Sequence, residues 1–148
     1  MAATVLVFAG VTAANLVRHE DACHVVPRLD VRRAGIPAQP EPFEPENAGI
    51  TTTGCDYGHE PGPYLSVFSI ARGGGDFMRR ARQSMEAHGV AIQRIAGADF
   101  DGYVTGGPRS NSESAVVVKR DHYVNVVAYN APPGVAERLA TAAARRLL

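Results

Sequence analysis

Apolar and polar residues alternate along much of the chain after residue 50, and this period of two predicts β-strands. In residues 64–71, for example, Tyr64 and Phe68 fall on one face of the strand and Leu65 on the other. Glycine- and proline-rich turns separate the strands. The other predicted strands cover residues 50–57, 91–95, 103–105, 114–119 and 123–129.

Helices are predicted in three further places. The first is indicated by Pro27, which suits a first helical turn, and by Gly35 just past its end, and the other two by apolar residues at steps of three and four. The central helix is expected to follow Asp76 as its N-cap and to end at Gly89. Its arginines are expected to form a solvated face. Its core-facing stripe is predicted to be Phe77, Ala81, Met85 and His88. The predicted helices cover residues 27–34, 76–88 and 133–148.

The predicted elements come in blocks joined by links of hairpin length, such as the tight turn at Arg120-Asp121-His122. This order favours the α+β class, with an antiparallel sheet and helices packed against one of its faces. The chain has 148 residues, of which 45% are apolar and 20% charged. These values are typical of one globular domain. We therefore predict a single α+β domain over residues 23–148.

The first part of the chain has a different character, because residues 2–16 are almost all apolar or small. The run has the length of a signal-peptide apolar region and is short for a membrane span. Val11-Thr12-Ala13 offers a small-residue cleavage pattern. A first strand is the alternative, because the run also contains β-branched residues. We expect residues 1–22 to be a signal-peptide-like or membrane-proximal segment, and the domain to be secreted or to lie in the cell envelope.

Residues 37–47 contain four prolines, with glutamates between them. Proline lacks the N–H that helices and sheet ladders require. We therefore predict a proline-rich surface loop that is extended and forms neither a helix nor a ladder. A recognition strip for a proline-binding partner is the alternative.

The two cysteines, Cys23 and Cys55, lie about thirty residues apart. In an exported protein such a pair is usually a disulfide, and closing the loop would contribute roughly 3–4 kcal/mol. Cys23-His24 with Cys55 and His59 also supplies the ligand types of structural zinc. Adjacent side chains diverge, however, so we expect the disulfide and no metal.

The order of elements resembles a known family. Cys23 stands near a short first helix, and Cys55-Asp56-Tyr57 places the second cysteine in a strand beside an aromatic residue. A central helix, a glycine–acidic–aromatic turn at residues 96–103, a closing hairpin and an alanine-rich helix follow. This order resembles small exported actinobacterial lipoproteins of unknown function and is similar to that of LpqN-type mycobacterial lipoproteins. The resemblance covers residues 23–148 and implies a sheet with helices, but no catalytic residues. Glu20-Asp21-Ala22 before Cys23 does not fit a lipid-attachment site, so membrane contact is expected at most through the first segment.

Candidate chemistry is sparse along the chain. The serines lack the glycine-flanked elbow of hydrolases, and Asp99-Phe100-Asp101-Gly102 lacks the later ligands of a calcium loop. Asp121 and His122 are adjacent in a tight turn, where we expect them to face solvent separately. We expect no catalytic site and no cofactor. The alternative function is a metal-dependent hydrolase that uses His24, His59 or His122.

The charge balance and the aromatic residues indicate which kinds of ligand or partner the domain could bind. Fifteen basic residues balance fifteen acidic ones, which argues against nucleic acid as a partner. We therefore expect a non-enzymatic envelope domain that binds a small apolar ligand or an envelope protein. Aromatic residues supply large contact areas. Those expected to line the binding surface are Tyr57, Tyr64, Phe68, Tyr123 and Tyr129.

Overall fold

The computed structural model describes residues 21–46, 51–95, 97 and 99–147. Within these residues the chain forms four helices and seven strands. The helices are α1 (Ala22–Val25), α2 (Arg28–Arg33), α3 (Gly74–Ala87) and α4 (Val135–Arg146). The strands are β1 (Pro40–Phe43), β2 (Thr52–Tyr57), β3 (Tyr64–Ile70), β4 (Gln93–Ile95), β5 (Asp101–Gly106), β6 (Ser112–Lys119) and β7 (His122–Tyr129).

The seven strands form one sheet in the order β1-β2-β3-β7-β6-β5-β4. Every neighbouring pair is antiparallel. At the centre, Leu65 of β3 lies opposite Tyr57 of β2 and Ala128 of β7. The predicted α+β class with an antiparallel sheet is confirmed.

The first face of the sheet carries the main core. Alternate residues of the central strands, such as Leu65, Val67, Val124 and Val126, are fully buried there. Helices α1, α2 and α4 pack on these residues, and Leu139 of α4 is 2% exposed. Burying an aliphatic side chain of this size contributes about 1.5–3 kcal/mol. This layer therefore supplies most of the fold's hydrophobic stabilisation.

The second face of the sheet is packed by α3. Met78 and Met85 of this helix belong to a smaller apolar cluster with Tyr103, Val116 and Tyr123. Three of the four helices in the described residues thus share one face, as predicted, and α3 lies on the other. Helix α3 packs there because one end of the second face carries apolar residues, and the helix shields them from water.

The start of α3 differs from the sequence expectation. Its N-cap is Gly73, in a left-handed conformation at φ 80°, and Asp76 lies within the first turn. The Asp121 carboxylate, from the β6–β7 turn, accepts hydrogen bonds from the amides of Gly73 at 2.8 Å and Gly75 at 3.0 Å. A distant side chain therefore does the capping that a local aspartate was expected to do.

The buried stripe of α3 matches the prediction in part, because Met85 packs against the cluster under α3 and Ala81 is half-buried. Met78 is 4% exposed, whereas Phe77 is 38% exposed and His88 is exposed. Arg82 does not simply face solvent, because its guanidinium lies 5.4 Å from the ring centroid of Tyr103. Its Nε is buried without a hydrogen-bond partner in the described part of the chain.

The proline-rich stretch forms an edge strand, so the expectation that it forms no ladder is wrong. Pro40–Phe43 pairs antiparallel with β2 and is largely exposed. Pro40 and Pro42 are two residues apart, so the donors they lack lie on the same side of the strand. The other side remains able to pair. The stretch is extended and at the surface, as predicted.

The disulfide Cys23–Cys55 joins α1 to β2, as predicted, with Cα atoms 5.1 Å apart. Beside it, the Tyr57 hydroxyl donates a 2.9 Å hydrogen bond to the Cys23 carbonyl. The predicted segment 1–22 lies outside the described residues except for its last two. Of these, Asp21 caps α1, and Ala22 is fully buried. None of the described helices is long and apolar enough to cross a membrane.

Candidate functional site

Part of the second face lies outside the cluster under α3, and we call this part the open face. Its side chains alternate with core residues along β2, β3 and β7. All of them are half-buried, and none belongs to either apolar cluster of the described residues. The open face comprises Asp56, Tyr64, Ser66, Asn125, Val127 and Tyr129.

Two tyrosines stand at one end of the open face. Tyr64 and Tyr129 are register partners on β3 and β7, and their rings stack with centroids 4.4 Å apart and planes 9° apart. Desolvation raises the pKa of both phenols, while Arg109 opposes this rise. The charge of Asp56 adds to the rise for Tyr129. Both hydroxyls are therefore protonated at neutral pH.

Arg109, from the β5–β6 loop, completes this cluster. Its guanidinium lies 5.5 Å from the Tyr129 ring centroid, a cation–π arrangement. One guanidinium nitrogen donates to the Tyr64 hydroxyl at 2.9 Å and also to the Glu60 carboxylate. The Tyr64 hydroxyl in turn donates to Glu60 at 3.2 Å. We call these four residues the Tyr64 cluster.

The loops around the Tyr64 cluster are bonded to one another. The Asn130 side chain donates to the carbonyls of Pro61 and Gly62, both at 3.4 Å. The Asn111 side chain donates to the Asn130 side chain, and the Asn130 amide donates to the Asn111 carbonyl at 3.1 Å. Three loops are thereby held at one end of the sheet, and the cluster is ordered before any ligand arrives.

The predicted binding residues divide into three groups. Tyr64 and Tyr129 lie on the open face. Phe68 and Tyr123 lie beside it in an edge-to-face contact at 6.2 Å, within the cluster under α3. Tyr123 is only 4% exposed. Tyr57 lies on the first face with no exposed surface, so it does not share a surface with the other four.

The sequence did not predict a buried polar pair formed by Ser69 and His122. The Ser69 hydroxyl and the His122 Nε2 are 2.7 Å apart, with residue exposures of 0% and 6%. The expectation that His122 faces solvent is therefore wrong. The alternation along β3 could have predicted the burial of Ser69, because Ser69 falls on the same face of the strand as Leu65 and Val67, which face the main core. The burial of both groups favours a structural role, since a substrate has no direct access to them.

The sulfurs and histidines considered for a metal site are not brought together. Cys23 and Cys55 are joined in the disulfide and supply no thiolates. His24 and His59 are exposed, and His59 Nδ1 lies 2.9 Å from the Glu60 carbonyl. Across the described residues, no three His, Cys, Asp or Glu side chains are grouped to hold an ion. The hydrolase alternative thus gains no support from them.

A rival site lies between two helices on the first face. A cavity of about 230 Å³ there is lined by residues of α2 and α4, including Arg33, Arg138 and Leu139. It is smaller than most small-molecule sites. Its arginines are exposed at the surface. This cavity is therefore the alternative ligand site against which the open face is tested.

The chain matches no protein family, and neither the curated proteins nor the solved structures include a significant match. The resemblance to exported actinobacterial lipoproteins therefore stays a prediction.

Proposed function

We propose that this chain is a non-enzymatic extracytoplasmic binding domain and that the open face holds its ligand. The observation that carries the proposal is the bonded Tyr64 cluster, which stands beside a floor of short polar side chains. Side chains fixed before binding lose little conformational freedom when a ligand arrives. The mixture of rings and polar groups supports a ligand with both apolar and hydrogen-bonding surfaces.

The disulfide supports the extracytoplasmic part of the proposal. Disulfides persist in oxidising compartments and are rare in the cytosol. Alkylation of thiols in intact host cells, before lysis, tests this location. Unlabelled Cys23 and Cys55 are expected, and labelling of both cysteines would contradict the location.

The binding function is tested by mass spectrometry of protein isolated from its own host. The native mass is expected to exceed the denatured mass by that of a bound molecule. Tyr64→Ala removes the ring that stacks on Tyr129 and bonds to Arg109. The native mass of this variant is expected to equal its denatured mass. Leu29→Ala is the control, because Leu29 is an exposed apolar residue of α2, the helix that packs on the first face.

Two results would argue against this function. One is equal native and denatured masses for the wild-type protein. The other is an extra mass that persists in Tyr64→Ala. Melting temperatures of both variants show whether any loss comes from unfolding.

A further inference from the structure

Tyr64 has one ring face that its stacking partner does not occupy. Tyr129 lies on β7, and β3 stands between β7 and β2 in the sheet. The other face of the Tyr64 ring is therefore turned toward β2. There the chain continues into Gly58, where an added Cβ would lie 3.2 Å from the Cβ of Tyr64. Because the residue after β2 is glycine, it adds no side chain beside that ring face, and the nearest other side chain is Pro37, whose Cδ lies 3.2 Å from the same Cβ position.

Short polar side chains lie next to this ring face. Asp56 of β2 and Ser66 of β3 are register partners, one row along the sheet from Tyr64. Asn125 of β7 lies one row further, where its side-chain oxygen accepts from Ser114 at 2.9 Å. Rows on one face are about 6.7 Å apart, and neighbouring strands are about 4.8 Å apart. The surface therefore offers an aromatic platform with hydrogen-bonding groups along one of its sides.

The charges around the platform disfavour an anionic ligand. Arg109 is the cation of the Tyr64 cluster, and it is already bonded to the Glu60 carboxylate. Asp56 adds a further carboxylate on the open face. Bringing a second anion to this surface would cost free energy that a neutral ligand avoids. Hydroxyl groups, by contrast, donate well to carboxylate oxygens.

We infer that the ligand is a neutral oligosaccharide, one sugar ring of which packs on Tyr64 while its hydroxyls bond to Asp56 and Ser66. A sugar ring presents an apolar C–H face and a rim of hydroxyls, which matches a ring platform edged by polar side chains. The open face spans three neighbouring strands, which leaves room for more than one sugar ring. This inference rests on the proposed function and names the ligand class for the same site.

The inference is tested by titrating the ¹⁵N-labelled domain with cellohexaose, chitohexaose and maltohexaose, and with hexalysine as a cationic probe. At least one hexasaccharide is expected to shift the amide signals of Asp56, Tyr64 and Ser66. Tyr64→Ala is expected to lower the affinity about tenfold or more, while Leu29→Ala leaves it unchanged. Asp56→Asn replaces a charge-assisted acceptor of the sugar hydroxyls with a neutral one, and it is expected to lower the affinity about threefold or more.

The inference is overturned if no hexasaccharide shifts these signals, or if Tyr64→Ala binds as well as the wild type. It is also overturned if hexalysine binds at the open face and Asp56→Asn abolishes that binding, because the site then recognises cations. The amide spectrum of each variant shows whether it is folded. If these titrations fail while the host-derived mass is still lost in Tyr64→Ala, the ligand class is wrong and the binding function stands.

Discussion

Two adjacent residues in the β6–β7 turn serve opposite faces of the sheet. The Asp121 carboxylate caps α3 on the second face, whereas the His122 ring is buried against Ser69 on the first face. Arg120 and Asp121 adopt positive φ angles of 48° and 68°, which a two-residue hairpin turn requires. One turn therefore links the helix on the second face to the main core.

Replacing Asp121 is expected to destabilise the fold in a pH-dependent way. The Gly75 and Gly73 amides lower the pKa of this carboxyl below its ordinary value. A lowered pKa contributes stability above the unfolded-state pKa, and this stability is lost as pH falls through the folded-state pKa. Asp121→Ala should therefore lower the melting temperature at pH 7, and the deficit should shrink below about pH 4.

Asp121→Asn is the control for this prediction. It retains an acceptor oxygen, so it should lose less stability than Asp121→Ala at pH 7. Melting temperatures between pH 2 and pH 7 check both points. A deficit in Asp121→Ala that stays constant over this range would contradict the charged cap.

Ser69→Ala is expected to cost about 1–3 kcal/mol, because it removes a hydrogen bond from a buried imidazole. Ser66→Ala, on the half-buried open face, should change stability by less than about 0.5 kcal/mol. Urea unfolding of both variants measures the difference. Equal effects would mean that the buried pair contributes nothing beyond packing.

At the scale of elements, both long helices begin at a glycine and are capped from elsewhere in the chain. Gly73 precedes α3 and Gly134 precedes α4, with φ angles of 80° and 92°. For α4 the capping group is Glu113 of β6, whose carboxylate accepts from the amides of Gly134 at 2.9 Å and Ala136 at 3.1 Å. Both helices are thereby fixed to the sheet at their first turn.

Glu113→Ala is expected to destabilise the fold by about 1–2 kcal/mol, the usual effect of losing a helix cap. Glu113→Gln keeps an acceptor oxygen and should lose less. Chemical denaturation of both variants checks the order. Glu86→Ala, an exposed glutamate on α3, should be nearly neutral. A loss in Glu113→Ala no larger than that in Glu86→Ala would show that the cap is dispensable.

Local patterns predicted most elements but not their caps or edges. The alternation along β3, β6 and β7 placed these strands within two residues of their observed bounds. Asp76 was a wrong N-cap because the capping carboxylate comes from Asp121, 46 residues away from Gly75. The strand at Pro40–Phe43 was missed because proline propensity opposes pairing, whereas its position at the sheet edge permits it.

At the scale of the whole molecule, the disulfide joins α1 to the sheet across a sequence separation of 32 residues. Constraining the unfolded chain in this way contributes about 3–4 kcal/mol. Replacing Cys23 and Cys55 together by serine should therefore lower the free energy of unfolding by roughly that amount. Urea unfolding of the variant and the wild type checks this. A change below about 1 kcal/mol would show that the bond is not a main source of stability.

The candidate site was predicted only in part. The period of two placed Tyr64 and Phe68 on one face of the strand, and both residues lie on the same face of β3 in the structure. Periodicity within single strands could not show that Tyr57 belongs to the opposite face, because that depends on the register between β2 and β3. Arg109 and Glu60 were missed because they lie in loops, where no periodicity applies. Glu60 is four positions from Tyr64, but Arg109 meets these two residues across 45 and 49 positions in the sequence.

The central claim is that the ligand occupies the open face. The most direct test compares the amide spectra of the host-isolated domain with and without its bound molecule. The signals of Asp56, Ser66 and Tyr129 are expected to shift, while those of Val135 and Leu139 stay in place. Shifts confined to Val135 and Leu139 would locate the ligand in the cavity between α2 and α4 and would contradict the account.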